Sequence, residues 1–264
     1  MKLAFIGGGV MGEAMIGGVL RNGLAKPADV AACDVLAQRR DHLASTYGIT
    51  TADKPASVLE GASIVVLAVK PQEFPAAARG LSLKPGQTVM SIMAGVTIAA
   101  IRDALHHDAI VRAIPNTPAQ IGEGMTVWTA TDAVPEPARE EVRGILAVLG
   151  QELYVDDEKY VDMATAVSSS GPAYVFLVME AWIDGAVHIG LRRDVAQRMV
   201  IQTILGSAKY AQVTGKHPAD LRNQVTSPAG TTTEGLRALE KAGLRLAFIE
   251  AIQAAYDKAR RLGA

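Results

Sequence analysis

Three consecutive glycines, Gly7-Gly8-Gly9, follow directly on the apolar run Leu3–Ile6, and with Gly12 they form a G-x-G-x-x-G pattern. A strand, a glycine turn and a helix in that order leave the chain few choices. Gly7 permits the tight turn, Gly9 lets backbone approach a pyrophosphate, and Gly12 lets the new helix pack close to the strand. The helix then aims the N–H groups of its first turn, at Val10 and Met11, and its positive dipole end at the phosphates. A second apolar run, Val30–Asp34, ends in an acid 22 residues past Gly12, where a carboxylate meets an adenosine ribose. Gly7, Gly9, Val10, Met11, Gly12 and Asp34 are thus candidate dinucleotide contacts.

The rest of the first half extends this start. Apolar runs at Ile64–Val69, Thr88–Ile92, Ile110–Ile114, Met125–Thr129 and Glu152–Val155 alternate with helical patterns at Leu36–Tyr47, Ile98–Leu105 and Pro135–Leu149. That alternation predicts an α/β fold, with a Rossmann-type, doubly wound, mostly parallel sheet covered on both faces. From Asp157 onward only helical patterns remain: Lys159–Ala166, Ala173–Ile189, Arg193–Thr214, Pro218–Val225, Thr233–Lys241 and Leu244–Leu262. The expected division is a dinucleotide-binding domain over 1–156 and an all-helical domain over 157–264. The helix from Ala173 is apolar nearly all round, through Val175, Phe176, Leu177, Val178, Met179, Trp182, Ile183 and Val187. It needs cover on every side, and a second subunit is the expected cover, which makes the helical part a dimerisation domain.

In an open parallel sheet, ligands bind outside the carboxyl ends of the strands. The candidates there are Ala68, Val69, Lys70 and Pro71, then Ala94, Gly95 and Val96, and then Asn116 between two prolines. Lys70 could supply charge near the cofactor, Ala94-Gly95 allows close approach, and Asn116 offers a rigid amide. In the helical half, Ala229-Gly230-Thr231-Thr232 opens the helix Thr233–Lys241. Such a place can bind an anion or serve as an ordinary helix cap, and spacing alone leaves both open.

Composition narrows the partners. Charged residues are 20% of the chain and the formal net charge is −1, so nothing funnels a phosphate backbone and nucleic acid is not an expected partner. Glu180, Asp184 and His188 interrupt the most apolar segment, which argues against a membrane span. The single cysteine, Cys33, fits a reducing compartment, and the expected location is the cytoplasm. No metal site is expected, because His42, His106, His107, His188 and His217 lack ligand spacing.

Six blocks resemble, in order, those of the pyrroline-5-carboxylate reductase family: FIGGGVMGEAM from Phe5, AVKPQ from Ala68, SIMAGVT from Ser91, RAIPNTPAQIGEGMT from Arg112, SSSGPAYVF from Ser168 and VTSPAGTTTEGL from Val225. The resemblance implies reduction of the cyclic imine Δ1-pyrroline-5-carboxylate to L-proline with NADPH or NADH, the last step of proline biosynthesis. It implies the loop at Gly230, Thr231 and Thr232 as the substrate carboxylate site; Asn116, from its place at a strand end near the nicotinamide, is a further candidate substrate contact. It also implies a homodimer assembled further into a ring.

The chain departs from the family pattern in three places. Ala229 stands where the family usually has glycine, and a methyl there asks for an unstrained φ. Gly215 and Lys216 stand where an acid is common, so no role for that acid carries over. Asp34 stands where many members have a polar or basic phosphate contact, and its charge would repel the 2′-phosphate of NADP. Gln38, Arg39 and Arg40, at the start of the following helix, could fold toward a phosphate, or the arginines could lie on a solvated helix face. NADH is therefore expected to be accepted alongside NADPH.

Two other readings compete. A β-hydroxyacid dehydrogenase needs an acid/base for a hydroxyl proton, usually a lysine on the first long helix of the helical domain. The helix Ala173–Ile189 has no lysine, only Tyr174, Glu180, Asp184 and His188 as titratable groups. No side chain in the chain is identified as an acid/base catalyst. A non-catalytic nucleotide sensor would explain the glycine turn but gives no reason for an anion site at 227–232.

Overall fold

The computed structural model describes residues 1–262 of the chain. Two compact units appear: Met1–Pro172, joined by the chain again from Ala254 onward, and Ala173–Gln253.

The first unit is built on one eight-stranded sheet. Its strands are β1 (Leu3–Ile6), β2 (Val30–Cys33), β3 (Thr50–Ala52), β4 (Ile64–Leu67), β5 (Thr88–Ser91), β6 (Ile110–Ile114), β7 (Gly124–Ala130) and β8 (Gly150–Tyr154). They lie in the order β3-β2-β1-β4-β5-β6-β7-β8, all parallel except where β7 meets β6 antiparallel. The central strands β1, β4, β5 and β6 are buried along their whole length. That requires helices on both faces, and the side-chain alternation assigns them. Leu3, Phe5, Ile64, Val66, Val111 and Ala113 pack with Met15, Ile16 and Val19 of α1 (Val10–Arg21), Leu43 of α2 (Ala37–Tyr47) and Val142, Ile145 and Leu146 of the amphipathic helix Glu136–Ala147. Ala4, Ile6, Val65, Leu67, Val89 and Ile110 face the other way, toward Phe74 of α3 (Phe74–Ala78) and Ile101 of α4 (Ile98–Leu105). Counting in chain order, Glu136–Ala147 is α5.

The short strand β3 gives no periodic signal, because it is three residues long and opens on two threonines at the sheet edge. Several strands also stop before the apolar run does. β2 ends at Cys33, β4 at Leu67 and β5 at Ser91, so Asp34, Ala68 and Val69 lie in the turns beyond the ladder.

Residues past 156 stay with the sheet. Helix α6 (Lys159–Ala164) runs into a π-helical segment, Thr165–Ser169, in which Ser170 N–H reaches back to Thr165 O at 3.0 Å. Arg112 on β6, only 1% exposed, ties this region down: its guanidinium pairs with Glu158 at 2.6 Å and Asp162 at 2.5 Å. Glu158 in turn accepts the N–H of Ile98 at the start of α4, at 2.8 Å. This tie is why the sheet unit extends beyond the last strand to Pro172.

The remaining elements are helical: α7 (Gly171–His188), α8 (Arg193–Thr214), α9 (Pro218–Gln224), α10 (Thr231–Lys241) and α11 (Leu244–Leu262). None of the residues of α7 is buried in the single chain, and Phe176, Leu177 and Trp182 are 58%, 65% and 48% exposed. The helix that the sequence marks for burial on every side therefore carries an uncovered apolar surface. Among the described residues, no helix is long and apolar enough to cross a membrane.

Candidate functional site

The parallel register places Ile6, Cys33, Leu67 and Ser91 level with one another. The turns that follow them therefore leave the sheet along a single edge. Gly7 N–H donates to Cys33 O at 2.8 Å and Ala68 N–H to Ile6 O at 2.8 Å, so the three central turns are stitched together at their roots.

Each glycine of the turn has a different physical reason. Gly7 has φ +104°, and a Cβ there would stand 2.6 Å from Ala68 O and 2.9 Å from Val69 N. At Gly12 a Cβ would stand 2.6 Å from Gly7 O, so helix α1 could not close onto the turn. At Gly9 a Cβ would meet nothing within 4 Å. Gly9 is the cap residue of the 12-residue α1, and no side chain caps it. The N–H groups of Val10, Met11 and Gly12 lie in the first turn, where a helix has no internal acceptors. An open approach to uncapped N–H groups at a helix start is what a pyrophosphate requires, so the residues present fit a dinucleotide.

Asp34 lies beside the turn. Its Oδ2 accepts the N–H of Gly8 and its Oδ1 the N–H of Leu36, both at 2.9 Å. Arg39 takes the other side of the same peptide unit: its Nε donates to Gly8 O at 2.9 Å, and its Nη2 pairs with Glu13 at 2.5 Å. Glu13 also meets His42 Nε2 at 2.7 Å and accepts from Tyr47 Oη at 3.2 Å. Burial alone would raise the Glu13 carboxyl, but the bonds from Arg39 and His42 outweigh it and hold the group below its ordinary 4.5. Tyr47 is pushed up by burial and by the charge of Glu13. Arg40 goes elsewhere: its Nη1 donates to Asp34 O at 2.8 Å and to Val35 O at 3.1 Å. Neither arginine lies simply on a solvated helix face. Cys33, at the end of β2, is buried and its thiol is pushed up to about 11, first by burial and then by Asp34 and Asp53. It stays protonated and offers no nucleophile.

The later loops differ in what they offer. Ala68 and Val69 form the wall against Gly7, and the Ala68 methyl would lie 3.4 Å from a Cβ on Gly12. Lys70 has an exposed side chain, while its N–H bonds Glu73 Oε2 at 3.3 Å just before Pro71. Ala94 and Gly95 form a turn with Gly95 at φ +76°, and Val96 is buried behind it. Asn116 is less free than a ligand-binding amide suggests. Its Oδ1 accepts Met125 N–H at 2.9 Å and its Nδ2 donates to Ser168 O at 3.0 Å. The amide joins β7 to the π segment, and one N–H remains for a ligand.

Three features escape a reading of the sequence. The grip of Arg39 on Gly8 and the buried Arg112 pairs depend on partners 31 to 50 residues away. Val35 and Leu36, 84% and 61% exposed, flank the end of β2 as an apolar surface suited to a purine ring. An apolar pair just after an acid-terminated strand is the signal that could have marked them.

In the helical unit, α10 begins at Thr231, two residues earlier than the apolar periodicity suggests, with Gly230 as its cap residue and no side-chain cap. Ser227 does not cap it; the backbone carbonyl of Ser227 accepts Gly230 N–H at 3.1 Å and Thr233 Oγ1 at 3.0 Å. A Cβ on Gly230 would stand 2.4 Å from Ser227 Oγ. Thr231 and Thr232 therefore sit in an uncapped first turn. The sequence leads one to expect an unstrained backbone at Ala229, but its φ is +54°. The methyl does not relax the loop, which keeps the left-handed turn that a glycine would take at no cost.

Known proteins are similar to this chain over its whole length. A family model for pyrroline-5-carboxylate reductase dimerisation matches residues 158–262, and one described as NADP oxidoreductase, coenzyme F420-dependent, matches 2–95. A pyrroline-5-carboxylate reductase of Synechocystis is 39% identical, covering 100% of this chain and 98% of its own. The structure of such a reductase from Coxiella burnetii superposes with a TM-score of 0.92 at 33% identity, covering 100% of this chain and 98% of that one. One from Plasmodium falciparum, with NADP bound, gives 0.90 at 28% identity with the same coverage. With a glycine turn fit for a dinucleotide, an uncapped Thr-Thr helix start and relatives that match from end to end, the chain belongs to the pyrroline-5-carboxylate reductase family.

Proposed function

We propose that this chain reduces Δ1-pyrroline-5-carboxylate to L-proline with NADPH or NADH, as a cytoplasmic homodimer that assembles further into a ring. The observation that carries the substrate assignment is the start of α10. Gly230 caps it without a side chain, which leaves the first-turn N–H groups without a side-chain cap and supports an anion there, with the hydroxyls of Thr231 and Thr232 as further donors. A carboxylate gains there from the helix dipole and from charge-assisted hydrogen bonds. An ordinary Ser/Thr cap would instead have its hydroxyl on those N–H groups.

When bound, the nicotinamide supplies the hydride. The protein's own work is to anchor the acid, hold the imine carbon about 3–3.5 Å from the hydride donor, and exclude water. No acid/base group on α7 is required for this, since a protonated cyclic imine is already electrophilic. Asp184 on α7 is paired with Arg193 at 2.8 Å, which further disfavours it as the proton donor of an alcohol dehydrogenase. The exposed apolar face of α7, with Phe176, Leu177 and Trp182, supports assembly with a second copy.

Oxidation of NADPH and NADH in the presence of pyrroline-5-carboxylate tests the reading. Turnover is expected with the imine, whereas β-hydroxyacids are not expected to reduce NADP⁺ or NAD⁺. Thr232→Ala is expected to raise KM at least about tenfold, the loss of one hydrogen bond to a charged group. An unchanged KM would remove the anion site, and absence of turnover would favour the sensor.

A further inference from the structure

Arg39 and Arg40 are adjacent in sequence but electrostatically unlike. Arg39 is neutralised by Glu13 and holds Gly8 O. Arg40 donates only to two backbone carbonyls, Asp34 O and Val35 O, and among the described residues it has no carboxylate partner. Its guanidinium thus forms no ion pair at the end of β2. Asp34, the acid at the same strand end, has both oxygens occupied by one backbone N–H each, from Gly8 and Leu36. Each oxygen can still accept from a hydroxyl, since a carboxylate has about four acceptor positions.

In a dinucleotide-binding sheet this strand end faces the adenosine ribose. An acid there bonds a free 2′-hydroxyl, and a nearby arginine accommodates a 2′-phosphate. Here both devices are present on consecutive turns. Resting on the dinucleotide reading above, we infer that Arg40 is the residue that admits NADPH while Asp34 holds NADH, so the chain uses both cofactors and the two residues divide the discrimination.

The geometry also says why the roles do not interchange. Asp34 cannot turn away from the ribose without releasing Gly8 N–H, so its charge stays in place whichever cofactor binds. Arg40 has only carbonyl partners to leave, and its Nε and Nη2 remain available to a phosphate. Arg39 cannot substitute for it, because moving its guanidinium would break its pair with Glu13 and free the Gly8 carbonyl.

Equilibrium binding on the intact protein tests this without turnover. Calorimetric titrations would use NADP⁺, NAD⁺, 2′,5′-ADP and 5′-ADP against the wild type, Arg40→Gln, Asp34→Asn and Arg39→Gln. Arg40→Gln is expected to weaken NADP⁺ and 2′,5′-ADP about ten- to a hundredfold, the worth of one charged hydrogen bond, and to leave NAD⁺ and 5′-ADP within about twofold. Asp34→Asn is expected to strengthen NADP⁺ and weaken NAD⁺. Arg39→Gln is expected to weaken all four ligands alike, because it loosens the shared Gly8 peptide. Equal losses in Arg40→Gln for both cofactors, or a wild type that binds only one of them, would overturn the inference. If the wild type bound neither, the dinucleotide reading itself would fall.

Discussion

Substituting Gly9 by alanine separates folding from binding at the same residue. The φ and ψ of Gly9, −68° and −176°, are ordinary for alanine, and the new methyl meets nothing within 4 Å. Losing glycine at a helix cap costs about 0.5 kcal/mol, while removing glycine's freedom from the unfolded chain returns about 0.4–1 kcal/mol. The two nearly cancel, so folding stability is expected to change by less than about 0.5 kcal/mol. Binding has no such cancellation. The methyl occupies the approach to the first-turn N–H groups, and a phosphate held about 2.9 Å from them must back away. Loss of one or two charge-assisted hydrogen bonds at about 1.5–3 kcal/mol each predicts affinity weakened at least about tenfold.

The neighbouring glycines supply the contrast. In Gly12→Ala the methyl meets Gly7 O at 2.6 Å, a backbone atom with no rotamer to change, and overpacking of this kind costs about 1–3 kcal/mol. Gly7→Ala adds a φ of +104° to a similar collision. Urea unfolding and calorimetric titration with NADPH, run on all three variants, measure both quantities. If Gly9→Ala bound within twofold of wild type, the pyrophosphate would not approach there. If it unfolded more easily than Gly12→Ala, the packing argument would be wrong.

Three further outcomes follow from single residues. Ala229→Gly should stabilise the protein by about 0.5–1 kcal/mol, since a left-handed alanine costs about 1–2 kcal/mol and glycine's entropy returns about half; a lower melting temperature would contradict this. Arg112→Met should cost about 3 kcal/mol in urea unfolding, the lower end for breaking a buried pair, because Glu158 and Asp162 keep some contact with water. A loss under 1 kcal/mol would mean that the tie between β6 and α6 is dispensable. Glu13 has a lowered carboxyl, so its contribution is complete above pH 4.5 and is lost as the pH falls below that. Glu13→Gln should therefore lose less stability than wild type as the pH falls below 4.5, and parallel curves would refute the assignment.

How much of this was legible in advance depends on how far apart the cooperating atoms lie. The glycine turn could be read because its constraint is local: Gly7, Gly9 and Gly12 act within one strand–turn–helix, and β1 matches its apolar run residue for residue. The α7 surface could be read as needing cover because periodicity records a face, although it does not name what covers it. Asn116 was visible as an amide between prolines, yet its bonds to Met125 and Ser168 depend on a hairpin and a π segment that no local pattern announces. Arg112 reads as an anomaly in an apolar strand, and only the folded chain brings Glu158 and Asp162 to it. Ala229 shows the limit most clearly. Intrinsic preference argues against a left-handed alanine, but Gly230 bonds back to Ser227 O and α10 starts at Thr231, so the backbone conformation is set from both sides. Closure of the loop overrides propensity at this point, and the strain is carried in the turn that leads into α10.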